Sequence, residues 1–282
     1  MTRIGAVWDS AVDAVRGRAG MIAPVAAAAL FLPSVVQAGA QAYLVAPGAP
    51  AGSGSPLLGL VMIVVLLVTF WGALAITAIT SHPDVTSAEA RRRATARLLP
   101  LIGVSIVLGL ALSLLWRPFI GLLVASGFSF ATMTPGQMPQ MSGGTAVAAF
   151  LYALVLVGLL FWLFARLLPL VPTVLHERLG VRAIGRAFRL TRGMGLKLMG
   201  VVLLYLVVVI VASGAAQLIV GLIARLILGG DNIATAQFVG GVAGAVVSTV
   251  FGVLSYAFIA RLYVALSARD RAAPVEDARV AL

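Results

Sequence analysis

The sequence predicts an all-α integral membrane protein of six transmembrane helices, with basic amphipathic helices at the membrane surface. Three observations carry this. The 282-residue chain is 61% hydrophobic and only 10% charged, whereas a soluble domain spends about a quarter of its residues on Asp, Glu, Lys and Arg. Its apolar residues collect into six segments, each long enough to supply the roughly 20 residues that cross a bilayer core. Its basic residues fall into every second connection between those segments.

The elements follow in order. Residues 3–18 place Ile4, Val7, Trp8, Ala11, Val12 and Val15 on one helical face and close on Arg16 and Arg18. The first span, 20–45, imitates a secretory signal with a small-residue site at Ala38-Gly39-Ala40. The charged region before it is long and patterned as a helix, so it reads as a retained span. A second span covers 56–80. Residues 86–97 open with Thr86 and Glu89 at capping-box spacing and continue into Arg91, Arg92, Arg93 and Arg97, a second surface helix. The third span, 98–127, meets Arg117-Pro118 near its far end, and residues 119–127 are expected to lie flat or re-enter. The fourth span covers 145–174.

Residues 178–197 are the most basic connection, with five arginines and Lys197. At about 100° per residue, Arg178, Arg182, Arg186, Arg189 and Arg192 share an arc of about 120°. Val181, Ala183, Ile184, Ala187, Phe188, Leu190 and Met194 lie opposite. This predicts a third surface helix, with Ile184 and Phe188 toward the hydrocarbon and the guanidinium groups at phosphate level. Gly193 and Gly195 turn the chain into the fifth span, 196–228. The sixth span, 235–266, leads to a short tail, 269–282, and the whole chain is one membrane domain.

Loops 46–56, 128–144 and 229–234 contain no Lys or Arg. The positive-inside rule therefore places the arginine-rich connections, and both termini, in the cytoplasm. Arg166 and Arg261 fall near the cytoplasmic ends of their spans, and Arg117 and Arg225 near the outer ends, all within reach of head groups. No Asp, Glu or His lies mid-span, which argues against a proton- or ion-coupled pump.

The surface helices also align. Ala14-x-Arg16 precedes Pro24 at the spacing with which Ala90-x-Arg92 precedes Pro100, and Ala187-x-Arg189 matches in the third copy with Lys197 in place of the proline. Ala165-Arg166-Leu167 recurs as Ala260-Arg261-Leu262. The expected architecture is three direct repeats of surface helix plus helical hairpin, 1–80, 84–176 and 178–268, related by an axis along the membrane normal.

Several chemistries are excluded. The chain has no cysteine, which removes disulfides, thiolate nucleophiles and iron–sulfur clusters. Gly-rich phosphate loops, zincin helices and nucleophile elbows are missing from the sequence. The net charge of +11 punctuates apolar spans rather than coating a soluble domain, so no nucleic acid is expected. Met133, Met138 and Met141 are soft ligands in kind, but their Pro- and Gly-broken loop reads as an outer connection. His82 and His176, beside Asp84 and Glu177, would share a metal only if two hairpins met, and they read as interface polar groups. No cofactor or metal is expected. The four-residue ridges Gly240, Gly244, Ser248, Gly252 and Ser105, Gly109, Ser113 predict close helix packing, and Gln217 an interhelical hydrogen bond.

Pro172, Glu177, Ala183-x-x-Arg186-x-x-x-Leu190-Thr191-x-Gly193 and the apolar span after them resemble the signature of the glycerophosphodiester phosphodiesterase membrane-domain family and its relatives, the YciC-like bacterial inner-membrane proteins. The sequence departs from that pattern at Ala187, where serine is usual. The resemblance implies a six-helix module of the bacterial inner membrane, without the catalytic barrel to which such modules are sometimes fused. The expected function is non-catalytic. The module would bind, organise or move phospholipid-like or other apolar molecules, with Arg16, Arg92, Arg93, Arg178, Arg182, Arg186, Arg189 and Arg192 contacting anionic phospholipid head groups. The alternatives are a small-solute transporter or channel, drawing on Gln217, Ser213, Thr69, Thr77 and Ser105, and a scaffold for a membrane-protein partner.

Overall fold

The computed structural model describes residues 4–44, 56–125, 143–229 and 232–280, with side chains to residue 271. The described residues fold as α1 (Ile4–Gly17), α2 (Ala19–Ala26), α3 (Leu32–Tyr43), α4 (Pro56–Ser81), α5 (Ser87–Ala125), α6 (Gly143–Leu167), α7 (Leu170–Glu177), α8 (Arg182–Leu190), α9 (Gly195–Leu228) and α10 (Ile233–Val280). A π-helical turn, Ala27–Phe31, joins α2 to α3 just after Pro24. Six stretches are long and apolar enough to cross a membrane: Ala19–Tyr43, Pro56–Ser81, Ser87–Ala125, Gly143–Glu177, Gly195–Leu228 and Ile233–Arg271. They coincide with the six predicted spans, and the chain has the make-up of a multi-pass membrane protein.

The core sits at one end, the end that carries the arginine-rich connections. In α4 every residue from Gly72 to Ser81 is buried, whereas none before Gly72 is. Ala165, Leu167, Leu170, Val174, Ala183, Ala187, Leu190, Ala257, Ala260, Leu262 and Leu266 extend the same core. α10 runs through it and meets α1, α2, α3, α4, α7, α8 and α9. The other halves of the spans are thinly packed. In the most apolar window of α9 only 6% of residues are buried, and Leu203, Leu204, Val207, Ile210, Val211 and Leu218 all point outward. Lipid tails are as apolar as leucine, so such helices gain little by packing against one another.

Where the spans do meet, small residues set the distance. A Cβ on Gly72 would stand 2.5 Å from Ala29 Cβ, and one on Gly241 would stand 2.9 Å from Ala38 Cβ. The signal-like Ala38-Gly39-Ala40 is thus part of α3, packed on α10. A Cβ on Gly240 would stand 2.6 Å from the Gln217 carbonyl and 3.0 Å from Gly221 Cα.

Several expectations are corrected. Residues 86–97 are not a separate surface helix. No turn residue separates them from the span, so once Thr86 accepts the Glu89 N–H at 3.3 Å the helix runs on to Ala125. It passes through Pro118, so residues 119–125 neither lie flat nor re-enter. The 178–197 connection is a corner rather than one helix. Arg178 ends α7 at φ +57°, Gly180 follows at φ +53°, and Gly193 turns the chain again at φ +80°, so Arg182–Leu190 is a short helix of its own and Gly195 already opens α9. The apolar faces of α1 and α8 cover protein rather than lipid: Val7, Ala11 and Ala14 are buried, as are Ala183, Ala187 and Leu190. The Gly109 ridge faces outward with no atom within 4 Å. Gln217 is exposed, and it meets α10 through close packing, its carbonyl against Gly240 and its side chain against Gly244. The tail is helical as far as Val280.

The contrast between the two ridges gives a test. Gly240→Ala should cost about 1–3 kcal/mol through overpacking, read as a lower unfolding midpoint in detergent. Gly109→Ala should leave the midpoint unchanged, and equal effects would show that helix contact does not decide the matter.

Candidate functional site

The basic end of the molecule carries two arrangements, an open set of arginines and a polar basin. Arg16, Arg92, Arg178, Arg182, Arg189 and Arg192 are exposed. None forms an ion pair among the described residues, where the pairs are Arg93–Glu89, Arg186–Glu177 and Arg186–Asp270. These six guanidinium groups are open to contact from outside the protein.

The other two predicted head-group residues are engaged inside the protein. Arg93 pairs with Glu89 one turn away on α5. Arg186 is 18% exposed and bridges two helices. Its Nε donates to Glu177 Oε2 at 2.9 Å and its Nη1 to Asp270 Oδ2 at 2.5 Å, tying α8 to the end of α7 and to α10. Burial works to lower its pKa, but the hydrogen bonds to Asp270 and Glu177 outweigh that and the net shift is upward, so the charge is held. The sequence read Arg186 as one of five equivalent arginines; its place above Glu177 makes it a structural cation instead.

The basin lies beside this pair. His82, His176, Glu177, Arg186, Tyr263, Val264, Ser267 and Arg271 line a cavity of about 400 Å³. Four helix ends build it. Arg18, at the α1–α2 corner, donates through Nη1 to the carbonyls of Ile79 (2.7 Å) and His82 (2.9 Å). A cation at these last carbonyls of α4 is favourably placed against the helix dipole, and it holds His82 at the rim. On α7, His176 stacks on Tyr263, with ring centroids 5.6 Å apart, and meets His82 edge-on at 5.4 Å. The Ser81 hydroxyl donates to the Thr77 carbonyl at 2.6 Å, so at 3.1 Å from His176 Nε2 it can only accept, which puts the proton on Nε2. Tyr263 donates to Glu177 Oε1 at 2.9 Å, and Arg271 Nε donates to the Ser267 carbonyl at 3.2 Å.

The two hairpins therefore do meet at His82 and His176. Even so, no group of three or more His, Cys, Asp or Glu is placed to hold a metal among the described residues. Met133, Met138 and Met141 lie outside the described residues.

α8 is fixed from its other side by α6. Arg166 donates to the Phe188 carbonyl at 3.1 Å, and its guanidinium lies 5.1 Å from the Trp162 ring and 5.7 Å from the Phe188 ring. Thr191 donates to the Arg166 carbonyl at 3.2 Å. Phe188 thus faces a cation on α6 rather than the hydrocarbon.

Comparison with protein families, with curated proteins and with solved structures yields no match. The residues that carry the family resemblance have physical roles in the corner. Pro172 and Ala183 are buried, Glu177 and Arg186 pair, Leu190 and Thr191 are buried, and Gly193 takes the left-handed turn. Ala187 is fully buried, so a serine there would need an internal partner.

Sequence reasoning missed Tyr263, Ser267 and Asp270. The scarcity of acids was the available signal. The whole chain has nine Asp and Glu, and the two that flank basic segments next to spans four and six are the ones that bind Arg186. A double-mutant cycle with Glu177→Gln and Arg186→Gln should show coupling of about 1–3 kcal/mol in unfolding free energy. A parallel cycle pairing Glu177→Gln with Arg192→Gln should show none.

Proposed function

We propose that this chain is a non-catalytic module of the bacterial inner membrane, akin to the membrane domains it resembles. It binds, organises or moves phospholipid-like or other apolar molecules. Arg16, Arg92, Arg178, Arg182, Arg189 and Arg192 contact anionic head groups at the cytoplasmic face, and both termini lie on that side. The observation that carries the reading is the set of six unpaired, exposed arginines on one end of a helix set whose opposite halves leave apolar side chains outward. Each arginine near an anionic leaflet contributes about 1 kcal/mol.

The apolar grooves between spans fit the same reading. One of about 440 Å³ runs from Val15 and Ala19 to Phe31 along α10, and another of about 390 Å³ lies between Leu32 and Val36 on α3 and Leu60 and Val68 on α4. Both are open to where acyl chains would lie. The three-repeat architecture belongs to the proposal too. Ala14, Ala90 and Ala187 are all buried, and Arg16, Arg92 and Arg189, two residues on, are all exposed.

The solute-transporter alternative has less support. Thr69 and Ser213 donate to carbonyls of their own helices, Thr77 is buried in α4, and Ser105 and Gln217 are on α5 and α9. A scaffold role would show itself as a second membrane protein copurifying in fixed stoichiometry.

Native mass spectrometry tests the lipid reading. The wild type should retain phosphatidylglycerol over phosphatidylcholine, and the triple variant Arg182→Gln, Arg189→Gln, Arg192→Gln should lose at least about tenfold in that preference, since three such contacts are worth about 3 kcal/mol. Unchanged retention by a folded triple variant would overturn the reading. The orientation has its own check, made simple by a cysteine-free chain: Arg182→Cys should react with an impermeant maleimide only from the cytoplasmic side.

A further inference from the structure

The basin between α4, α7, α8 and α10 is not used by the surface arginines, and its hydrogen-bonding balance points to a ligand. Each carboxylate at its edge already has partners: Glu177 accepts from Arg186 and Tyr263, and Asp270 accepts from Arg186. The Ser81 hydroxyl and the α4 carbonyls are satisfied by Thr77, His176 and Arg18. Donors remain over. Arg271 has a single hydrogen bond, from Nε, which leaves its two terminal nitrogens without a partner among the described residues. Among the described residues, the ring contact given by His82 is its edge contact with His176. Of the charged residues there, Arg186 is held between Glu177 and Asp270, and Arg271 is the cation that no carboxylate pairs among the described residues.

An excess of donors that converges on one cavity from separate helix ends suits an acceptor-rich anion. A carboxylate offers two oxygens in one plane, which a single guanidinium satisfies. A tetrahedral oxyanion offers oxygens toward several directions at once. The cavity volume, about 400 Å³, is many times the roughly 30 Å³ of a water, so it has room for an anion that carries a substituent. We propose that this basin binds a phosphoryl oxyanion, borne by a lipid head group or by a free phosphate compound, with Arg271 and His82 as the contacting residues. Arg186, held by Glu177 and Asp270, fixes one wall and offsets part of their negative charge without contacting the anion. His176 is a positioning residue, clamped between Ser81 and Tyr263, against which the His82 ring rests. The site stands whether or not the surface arginines hold lipid, because it uses none of them.

The test uses the full chain in detergent. Inorganic phosphate should raise the unfolding midpoint of the wild type saturably, while chloride at equal ionic strength does not. Arg271→Gln should weaken that response at least tenfold and His82→Asn several-fold. Both residues are exposed, so both variants should keep the wild-type midpoint without phosphate. Arg192→Gln, outside the basin, should respond as the wild type does. A second arm measures retention of phosphatidic acid by native mass spectrometry with the same variants. Dependence on Arg271 in the phosphate arm identifies a free phosphate compound as an adequate ligand. Dependence on Arg271 in the lipid arm alone identifies a head group. Binding in neither arm, or binding that Arg271→Gln and His82→Asn leave unchanged, overturns the proposal. No phosphate response, together with loss of lipid retention only in the Arg182, Arg189, Arg192 triple variant, would overturn it while leaving the surface reading intact.

Discussion

A guanidinium group cannot be left in hydrocarbon, and that constraint organises this molecule. Desolvating a charge costs several kcal/mol even where the site relaxes, so each arginine must end at a face or find partners before it gets there. Arg166 and Arg261 occupy the same place in the two Ala-Arg-Leu runs, each following a fully buried alanine. Arg166 solves the problem in part, with a carbonyl of α8 and two aromatic faces, while its Nε is buried without a hydrogen-bond partner among the described residues. Arg18 solves it with the carbonyls that end α4, and Arg186 with two carboxylates. In each case the partner belongs to a different helix, so satisfying the charge also fastens helix ends together.

That explains why the core lies at one end. The last ten residues of α4 are buried on every side, and the rest of the same helix is not. Along the apolar spans helices are joined by a few hydrogen bonds, Tyr152 to the Leu115 carbonyl and Tyr205 to the Phe251 carbonyl among them, and by close fit, which needs glycine or alanine at the crossing, as at Gly72 with Ala29 and Gly240 with Gln217 and Gly221. At the basic face there are in addition carbonyls, hydroxyls, rings and charges that must be paired. The structure is therefore tied at one end and leaves apolar side chains outward over the other.

The spans were legible because hydropathy and length are properties of a segment, and a segment's solvent is decided before its neighbours are. The alternation of arginines was legible for the same reason. The corner at 178–197 was not. Helical periodicity placed Arg178 and Arg192 on the same face as Arg186, but Arg178 takes a left-handed conformation at the end of α7 and Gly193 takes one after α8, and periodicity does not register a single reversed dihedral. The amphipathic faces of α1 and α8 were read correctly as faces and wrongly as lipid-facing. A buried alanine stripe and a lipid-immersed one have the same pattern. Only the partner differs, and the partners, Trp162 and Arg166 on α6 and Phe258 on α10, are distant in sequence.

The same reasoning separates arginines that a sequence cannot. Arg182, Arg186 and Arg189 lie within two turns of one helix and share composition, charge and side of the wheel. Arg186 alone sits above Glu177, nine residues earlier, with Asp270 arriving from α10, 84 residues on. It is thereby withdrawn from any surface. A lipid phosphate competing for it would have to displace two carboxylates already in place, while at Arg182 and Arg189 it displaces only water. Under the proposed function, affinity for an anionic leaflet resides in the arginines that the fold leaves alone, and rigidity of the surface that presents them resides in the arginine that it does not.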